Sequence, residues 1–143
     1  MKIRVLYHSS TGNTKKVAEA IATAAKVQAE AIAEDTMLSE PVDLLFLGAA
    51  PYAGNVNRAL PQFIESLSPD MVGRVAVFGT AASPNSTWPQ LKGFLDARRI
   101  PVLDQYFHCR GQFLLAHRGR PNAQDLQKAV AFTQEIIEAC AAQ

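Results

Sequence analysis

A hydroxyl-rich segment near the amino terminus has residue types suited to binding an anion. It precedes a stretch with helical periodicity and consists of Ser9, Ser10, Thr11, Gly12, Asn13 and Thr14. The unpaired N–H groups of a first helical turn and the positive end of the helix dipole attract a phosphate, and a glycine lets the backbone approach it closely. The segment therefore predicts a phosphate site, and a helix cap without a ligand is the alternative that its composition leaves open.

Other phosphate-binding motifs do not fit the same segment. A Walker loop requires Gly-Lys-Ser/Thr and a dinucleotide fingerprint requires G-x-G-x-x-G, and the sequence has neither. A phosphoacceptor receiver domain requires an Asp at the end of its third strand, where residues 47–50 read LGAA. These three classes are excluded.

The elements that position this segment follow from the alternation of apolar runs and helical stretches. Strands are predicted at residues 3–7, 27–33, 42–49, 73–80 and 101–112, and helices at 14–25, 60–67, 91–98 and 122–140, with Asn122 as an N-cap. Segments 34–41, 51–57 and 81–87 are predicted as loops. This βαβ order predicts an α/β fold, a three-layer α/β/α sandwich around a five-stranded parallel sheet.

In an open parallel sheet, ligands bind beyond the carboxyl ends of the strands. Three predicted loops leave those ends, at residues 9–14, 50–57 and 79–87. We therefore expect the functional site to lie among these three loops.

Composition limits the class of protein. With 143 residues, 48% of them apolar and 19% charged, the chain is expected to form a single domain over residues 1–143. The net charge of +1 gives no attraction to nucleic acid, and no apolar run is long enough to cross a membrane. Two cysteines without metal spacing suggest reduced thiols and a cytoplasmic location.

No catalytic or metal-binding constellation is predicted. None of the three histidines, His8, His108 and His117, has a ligand neighbour at useful spacing. Cys109 stands beside Arg110, but no His/Asp arrangement accompanies it, and we interpret it as a strand cysteine.

The phosphate segment carries a family resemblance. Residues 5–14, VLYHSSTGNT, continued by Ala18 and Ile21, resemble the FMN-phosphate motif of the flavodoxin family in every fixed position. Weaker similarity runs through residues 47–54, 77–81 and 109–111, and the unbroken run 100–112 resembles the short-chain type. The resemblance implies a flavodoxin-like domain with strand order 2-1-3-4-5.

The resemblance also implies an FMN cofactor with its isoalloxazine ring between the second and third loops. The cofactor-binding residues would then be Ser9, Ser10, Thr11, Gly12, Asn13, Thr14, Ala50, Pro51, Tyr52, Ala53, Gly54, Asn55, Gly79, Thr80, Ala81, Ala82 and Trp88. Tyr52 and Trp88 are the candidate ring-stacking residues, and ordinary packing is the alternative for each. The third loop departs from the family pattern because it contains no aromatic residue.

Gly54 and the loop charges have expected roles in the redox chemistry. The Gly54–Asn55 peptide is the candidate for the peptide beside flavin N5 that reverses on reduction, with a plain turn as the alternative. Arg58 is the only charge between Ala50 and Leu60, and residues 79–91 contain none. Flavodoxins typically surround the ring with carboxylates, so we expect a reduced flavin here to meet less Coulomb repulsion and to have a less negative potential.

The resemblance implies an electron carrier that shuttles between a reductase and an acceptor protein. Lys15 and Lys16 beside the phosphate segment suggest partners whose docking face is acidic or neutral, although these lysines also suit a solvated helix face. We expect a monomer. An FMN reductase or oxidase, or a flavin-carrying subunit of a larger reductase, is the alternative, and a fold that has lost flavin and serves as an interaction module is the third.

Overall fold

The fold is that of a computed structural model, which describes residues 1–142. Its strands are β1 Ile3–Tyr7, β2 Ala29–Ala31, β3 Val42–Ala49, β4 Pro51–Tyr52, β5 Asn55–Val56, β6 Val72–Ala81 and β7 Phe107–Arg110. Its helices are α1 Asn13–Ala25, α2 Ala59–Glu65, α3 Trp88–Ala97 and α4 Ala123–Ala141.

Five strands form one parallel sheet in the order β2-β1-β3-β6-β7. This is the predicted order 2-1-3-4-5 when the separate hairpin of β4 and β5 is left aside, so the predicted three-layer α/β fold is confirmed. β1 and β3 have the predicted bounds. The sheet brings the ends of β1, β3, β6 and β7 to one edge.

Two apolar layers cover the two faces of the sheet. On one face, Leu45 and Leu47 of β3 pack with buried residues of α2 and α3, and on the other, Leu44 and Phe46 pack with α1 and α4. This alternation within one fully buried strand explains why its sequence is almost continuously apolar. The central strands are therefore fixed from both sides.

Two predicted strands are shorter in the structure. Of the strand predicted at 27–33, only Ala29–Ala31 forms β2, an edge strand whose last two residues are exposed. The strand predicted at 101–112 is broken: Val102 makes an isolated bridge to Val75, and pairing resumes only in β7. At the break, the Leu103 N–H still donates to the carbonyl of Val75, while the carbonyl of Leu103 accepts a hydrogen bond from the indole N–H of Trp88 at 3.1 Å.

A further difference concerns residues 51–57, which we expected to form an irregular loop. They contain the β4–β5 hairpin, in which Pro51 pairs with Val56 and Tyr52 with Asn55. The two turn residues, Ala53 and Gly54, have φ values of 52° and 84°. Positive φ at both central positions is the signature of a type I′ turn, whose twist matches a two-residue hairpin.

The predicted N-cap of the last helix is confirmed. The Asn122 side chain accepts a hydrogen bond from the Asp125 N–H, and the Asp125 carboxylate accepts one from the Asn122 N–H. This capping box satisfies the amino-terminal donors of α4. No helix within residues 1–142 has the length and apolar character needed to span a membrane.

Candidate functional site

A cleft of about 1030 Å³ opens at the carboxyl ends of β1, β3, β6 and β7. Ligand sites in proteins commonly have volumes of roughly 300–1,000 Å³, so the cleft can hold a nucleotide-sized molecule. It is lined by His8, Ser10, Thr11, Asn13, residues 50–57, residues 80–83, residues 85–87, Pro89, Gln90, Gly111, Gln112 and Phe113. Within the described part of the chain, this lining contains no Asp, Glu, Lys or Arg.

The wall formed by the hydroxyl-rich segment leads into α1. Gly12 is the N-cap residue of α1, with φ 90° and ψ −5°, a left-handed conformation that favours glycine. No side chain caps this helix in the structure, in contrast to the capping box of α4. The Gly12 N–H donates to Ser9 Oγ at 3.0 Å, which folds the segment into a tight turn. The first-turn N–H groups of α1 are thus left as donors for an anion.

Two hydrogen bonds fix the start of α1 against the neighbouring strand ends. The hydroxyls of Thr14 and Thr80 lie 2.9 Å apart, and both residues are buried. The Asn13 side-chain amide donates to the carbonyl of Gln112 at 2.9 Å. The phosphate segment is therefore joined to β6 and to the loop after β7.

The second wall is the β4–β5 hairpin, and α3 holds it in place. The Gln90 side chain accepts a hydrogen bond from the Val56 N–H at 3.0 Å and donates one to the Asn55 side-chain oxygen at 3.3 Å. Tyr52 projects from the hairpin with 73% of its surface exposed and meets Phe113 edge-on, with ring centroids 6.4 Å apart. Two aromatic rings therefore stand at the mouth of the cleft.

The third wall is the loop after β6, and two residues of β7 contact the backbone of this loop. The Arg110 guanidinium donates to the Ala82 carbonyl at 2.9 Å, and His108 Nε2 lies 3.2 Å from the Ser83 carbonyl oxygen. At the end of this loop, Thr87 is 4% exposed and its hydroxyl has no hydrogen-bond partner within residues 1–142. An unpartnered buried hydroxyl in a cleft wall is suited to a polar ligand atom.

Most of the predicted cofactor-binding residues lie together in this cleft. Twelve predicted positions line it, namely Ser10, Thr11, Asn13, Ala50, Pro51, Tyr52, Ala53, Gly54, Asn55, Thr80, Ala81 and Ala82. Ser9, Gly12 and Thr14 shape the turn and helix start behind the lining. Gly79 lies beneath it, where a Cβ would collide with the carbonyl oxygen of Ala49.

The structure does not bring Trp88 to the cleft. Its indole ring stacks on Tyr106 with centroids 5.3 Å apart, and its N–H donates to Leu103. These contacts anchor the first turn of α3 to the segment before β7, which is the packing alternative stated above. Trp88 is therefore corrected from a candidate ring-stacking residue to a structural one.

Phe113 and Gln90 are among the lining residues that the sequence did not predict as cofactor-binding. Phe113 follows β7, and the rule that ligands bind beyond the carboxyl ends of strands applies to this fourth loop as well. That signal was available in the sequence. Gln90 gave no signal, because a helical glutamine has no marker for a partner 34 residues away in the sequence.

The charges around the cleft are sparse and mainly basic. Lys15 and Lys16 are exposed at the start of α1, and Arg58 lies 3.9 Å from Glu34 in a solvent-exposed pair. Burial raises the pKa of the Cys109 thiol to about 12, so that this cysteine is a poor nucleophile. No cluster of His, Cys, Asp or Glu within residues 1–142 is suited to a metal ion.

The fold is similar to those of several solved structures. A flavodoxin from the domain Archaea superposes with a TM-score of 0.77 at 19% sequence identity, covering 99% of both chains. Flavodoxin 2 from Bacillus cereus gives a TM-score of 0.72 at 18% identity, covering 97% of this chain and 99% of that one. Rubredoxin oxygen:oxidoreductase from the anaerobe Desulfovibrio gigas gives 0.71 at 14% identity, and the match covers 99% of this chain but 36% of that protein.

The sequence itself matches a known family. No curated protein matches the sequence significantly. The profile described as "Flavodoxin domain" matches residues 4–114, well over half of the chain, including the phosphate segment and the loops after β3 and β6. The chain therefore belongs to the flavodoxin family, and it is an FMN-binding, flavodoxin-like electron-transfer protein.

Proposed function

We propose that FMN binds in the cleft with its phosphate on the segment Ser9–Thr14 and its ring between the β4–β5 hairpin and the loop after β6. The observation that carries this assignment is the uncapped amino terminus of α1, which opens into a cleft without carboxylates. A phosphate dianion would be repelled by acidic lining residues and is stabilised by helix N–H groups.

The residues present fit the ring as well as the phosphate. Tyr52 and Phe113 offer aromatic faces, and stacked aromatic contacts add about 0.5–1.5 kcal/mol beyond area burial. The hydroxyl of Thr87 offers a polar contact that no protein group uses within the described residues. Bound FMN would supply the electron-accepting chemistry, and the chain would bind it, orient it and set its potential.

We further propose that the protein carries electrons between a reductase and an acceptor and has no substrate of its own. Among the lining residues, only His8 and Tyr52 carry titratable side chains. Neither belongs to an arrangement of nucleophile, base and orienting group. The lining therefore supports cofactor binding and offers no acid–base machinery.

The surface beside the cleft supports a docking role. Beyond Phe113, Leu114 and Leu115 are 78% and 79% exposed, and they occupy a tight turn closed by two hydrogen bonds between Phe113 and Ala116. This leucine turn, residues 113–116, is continuous with Tyr52 at the cleft mouth. Exposed apolar residues grouped at one site are typical of a protein-binding surface.

The charges near the leucine turn indicate the kind of partner. Arg118 follows in the same loop and makes no ion pair with any residue of the described chain, and no carboxylate occurs between Gly111 and Pro121. We therefore propose a redox partner with an apolar docking face bordered by acidic or neutral residues. We also propose that the chain is a single domain, a monomer, and cytoplasmic, in keeping with its two free cysteines.

Binding of FMN by the purified apoprotein tests the cofactor assignment. Quenching of flavin fluorescence should report binding of FMN, and riboflavin, which lacks the phosphate, should bind more weakly. Ser10→Asp places a carboxylate on the lining and should weaken FMN binding at least tenfold while leaving riboflavin binding nearly unchanged. Ser39→Asp, at an exposed position that does not line the cleft, is the matched control.

Two results would contradict these proposals. Equal weakening of FMN and riboflavin binding by Ser10→Asp would remove the phosphate assignment. Steady oxidation of reduced nicotinamide by the isolated FMN-loaded protein would replace the carrier by the alternative, an FMN reductase.

A further inference from the structure

We propose that Arg110 is a positioning residue that holds the loop after β6 against the flavin ring and makes the potential of bound FMN less negative. This inference rests on the proposed function.

The position of Arg110 follows from the register of the sheet. It is the last residue of β7 and pairs with Ala81, the last residue of β6. From there its guanidinium donates to the carbonyl of Ala82, the first residue of the loop, at 2.9 Å. Arg110 is half-buried and lies behind the lining, since Ala82 and Gly111 face the cleft while Arg110 does not line it.

This contact fixes the direction of one peptide group. The Ala82–Ser83 peptide is planar and trans, so its N–H points opposite to its C=O. With the carbonyl turned toward Arg110, the Ser83 N–H is turned away from it, and this N–H has no acceptor within residues 1–142. A cation on the carbonyl polarises the peptide and strengthens the N–H as a donor.

The charge of Arg110 is not offset by a carboxylate. None of the ion pairs among the described residues includes Arg110. The neighbouring Arg120 shows the contrast, because it donates to both carboxylate oxygens of Asp125, at 2.5 and 2.7 Å. Arg110 therefore retains a net positive field at the third wall of the cleft.

His108 holds the same loop from the same strand. Its Nε2 lies 3.2 Å from the Ser83 carbonyl oxygen. Burial lowers the pKa of His108 and the charge of Arg110 lowers it further, whereas the contact with Ser83 opposes both. A lowered pKa favours the uncharged imidazole of His108 at neutral pH, and Arg110 is the cation of this pair.

The consequence concerns the step in which bound FMN gains its second electron and becomes anionic. A cation, and an N–H that it polarises, stabilise the anion more than the neutral form. Because the guanidinium is half-buried and fixed by a hydrogen bond, salt screens it less than it screens an exposed charge. Its effect on the potential should therefore persist at high ionic strength.

The test is a pair of substitutions at Arg110 with one control. Arg110→Met removes the charge and the hydrogen-bond donors but keeps an unbranched side chain, Arg110→Lys keeps the charge, and Arg118→Met removes an exposed cation from the adjacent loop. The two one-electron potentials of bound FMN are measured by titration with dithionite against reference dyes, at low and at high salt. Thermal unfolding and proteolysis of residues 82–87 are measured on the apoproteins.

We expect Arg110→Met to disfavour the second reduction step at least tenfold, which corresponds to about 59 mV for one electron, at both salt concentrations. Arg110→Lys should retain most of the wild-type potential, and Arg118→Met should have a smaller effect that vanishes at high salt. Apoprotein carrying Arg110→Met should be cleaved faster at residues 82–87, because the loop has lost its anchor.

The outcomes separate this inference from the proposed function. If the wild-type protein does not bind FMN, the proposed function fails. If it binds FMN and the potential of Arg110→Met equals that of the wild type, only the role of Arg110 is overturned. If Arg110→Met does not fold, Arg110→Gln and Arg110→Lys replace it, and equal potentials in these two variants overturn the inference.

Discussion

The hydroxyl oxygens of Thr14 and Thr80 lie 2.9 Å apart in the interior, where each residue is 1% exposed. Thr14 belongs to the first turn of α1, and Thr80 lies near the carboxyl end of β6. One buried hydrogen bond therefore sets the distance between the phosphate segment and the loop that we assign to the ring.

Thr14→Val should destabilise the protein and weaken FMN binding. Valine has nearly the same shape but leaves the Thr80 hydroxyl buried without a partner, which costs about 1–3 kcal/mol. Urea unfolding of the apoprotein and FMN titration measure the two effects, and the double variant Thr14→Val/Thr80→Val should recover part of the stability. Thr133→Val is the control, because the Thr133 hydroxyl donates only to a carbonyl of its own helix, that of Ala129. Equal losses at Thr14 and Thr133 would contradict the prediction.

The sequence predicts the sheet better than the walls of the cleft. Continuous apolar runs identified β1 and β3 with correct bounds, because strands buried on both faces carry a local signal. The break before β7 lies where the Trp88 indole contacts Leu103, and the hairpin is joined to α3 by the contacts of Gln90 with Asn55 and Val56. Such pairings between distant residues leave no local pattern.

In the candidate site, too, some residues have a local sequence signal and others depend on contacts between distant residues. The segment Ser9–Thr14 combines local turn chemistry with a helix start, and it was predicted from its own residues. Phe113 and the Arg110 contact with Ala82 depend on how β7 pairs with β6. The position of Trp88 directly after the third loop indicates a ring contact, but its indole stacks on Tyr106, and neither residue lines the cleft.

Gly54→Ala should move the first one-electron potential of bound FMN to a more negative value. Gly54 has φ 84°, a conformation that an L side chain disfavours by about 1–2 kcal/mol. If the Gly54–Asn55 peptide reverses on reduction, alanine changes the balance between its two orientations. Potentiometric titration measures this. Gly93→Ala, in the interior of α3 with no atom near the added Cβ, is the control, and an unchanged potential in Gly54→Ala would contradict the role of this peptide.

Replacing both leucines of the leucine turn should slow electron transfer to a protein partner while leaving FMN binding intact. Leu114→Ser/Leu115→Ser removes exposed apolar surface but no lining residue. Rates are compared with a protein acceptor that has an acidic docking face and with ferricyanide, a small acceptor that needs no docking surface. Met37→Ser, a 69% exposed apolar residue in the loop after β2, is the control. Equal rates with the protein acceptor would contradict the docking role.

Acid should remove the contribution of the α4 capping box to stability. Burial raises the pKa of Asp125, but the hydrogen bonds from Arg120 and Asn122 and the charge of Arg120 outweigh it, so the pKa in the folded state lies below its usual value. A carboxyl whose pKa is lower in the folded than in the unfolded state stabilises the fold at pH values above its unfolded-state pKa, which is near 4. This stabilisation is lost as the pH falls from there through the folded-state pKa. Urea unfolding from pH 7 to pH 3 should show a shallower acid loss for Asp125→Asn than for the wild type. Asp70→Asn, at an exposed position, should follow the wild type.

The two free cysteines should differ in reactivity. Cys109 is 7% exposed and has a thiol pKa of about 12, whereas Cys140 is partly exposed. A disulfide reagent at pH 8 should therefore modify Cys140 first in the native protein and both thiols after denaturation. In Cys140→Ser, rapid native modification would show that Cys109 is more accessible than its burial indicates.

The strand order places the two shortest strands of the main sheet, β2 and β7, at its edges. An edge strand has one neighbour, so brief fraying of a sheet begins there and costs far less than global unfolding. Fraying of β2 leaves the cleft intact, because β2 contributes no lining residue. Fraying of β7 withdraws Arg110 from Ala82 and carries Gly111 and Phe113 outward. We therefore expect the cofactor to leave past β7, at a rate set by how often this edge strand opens.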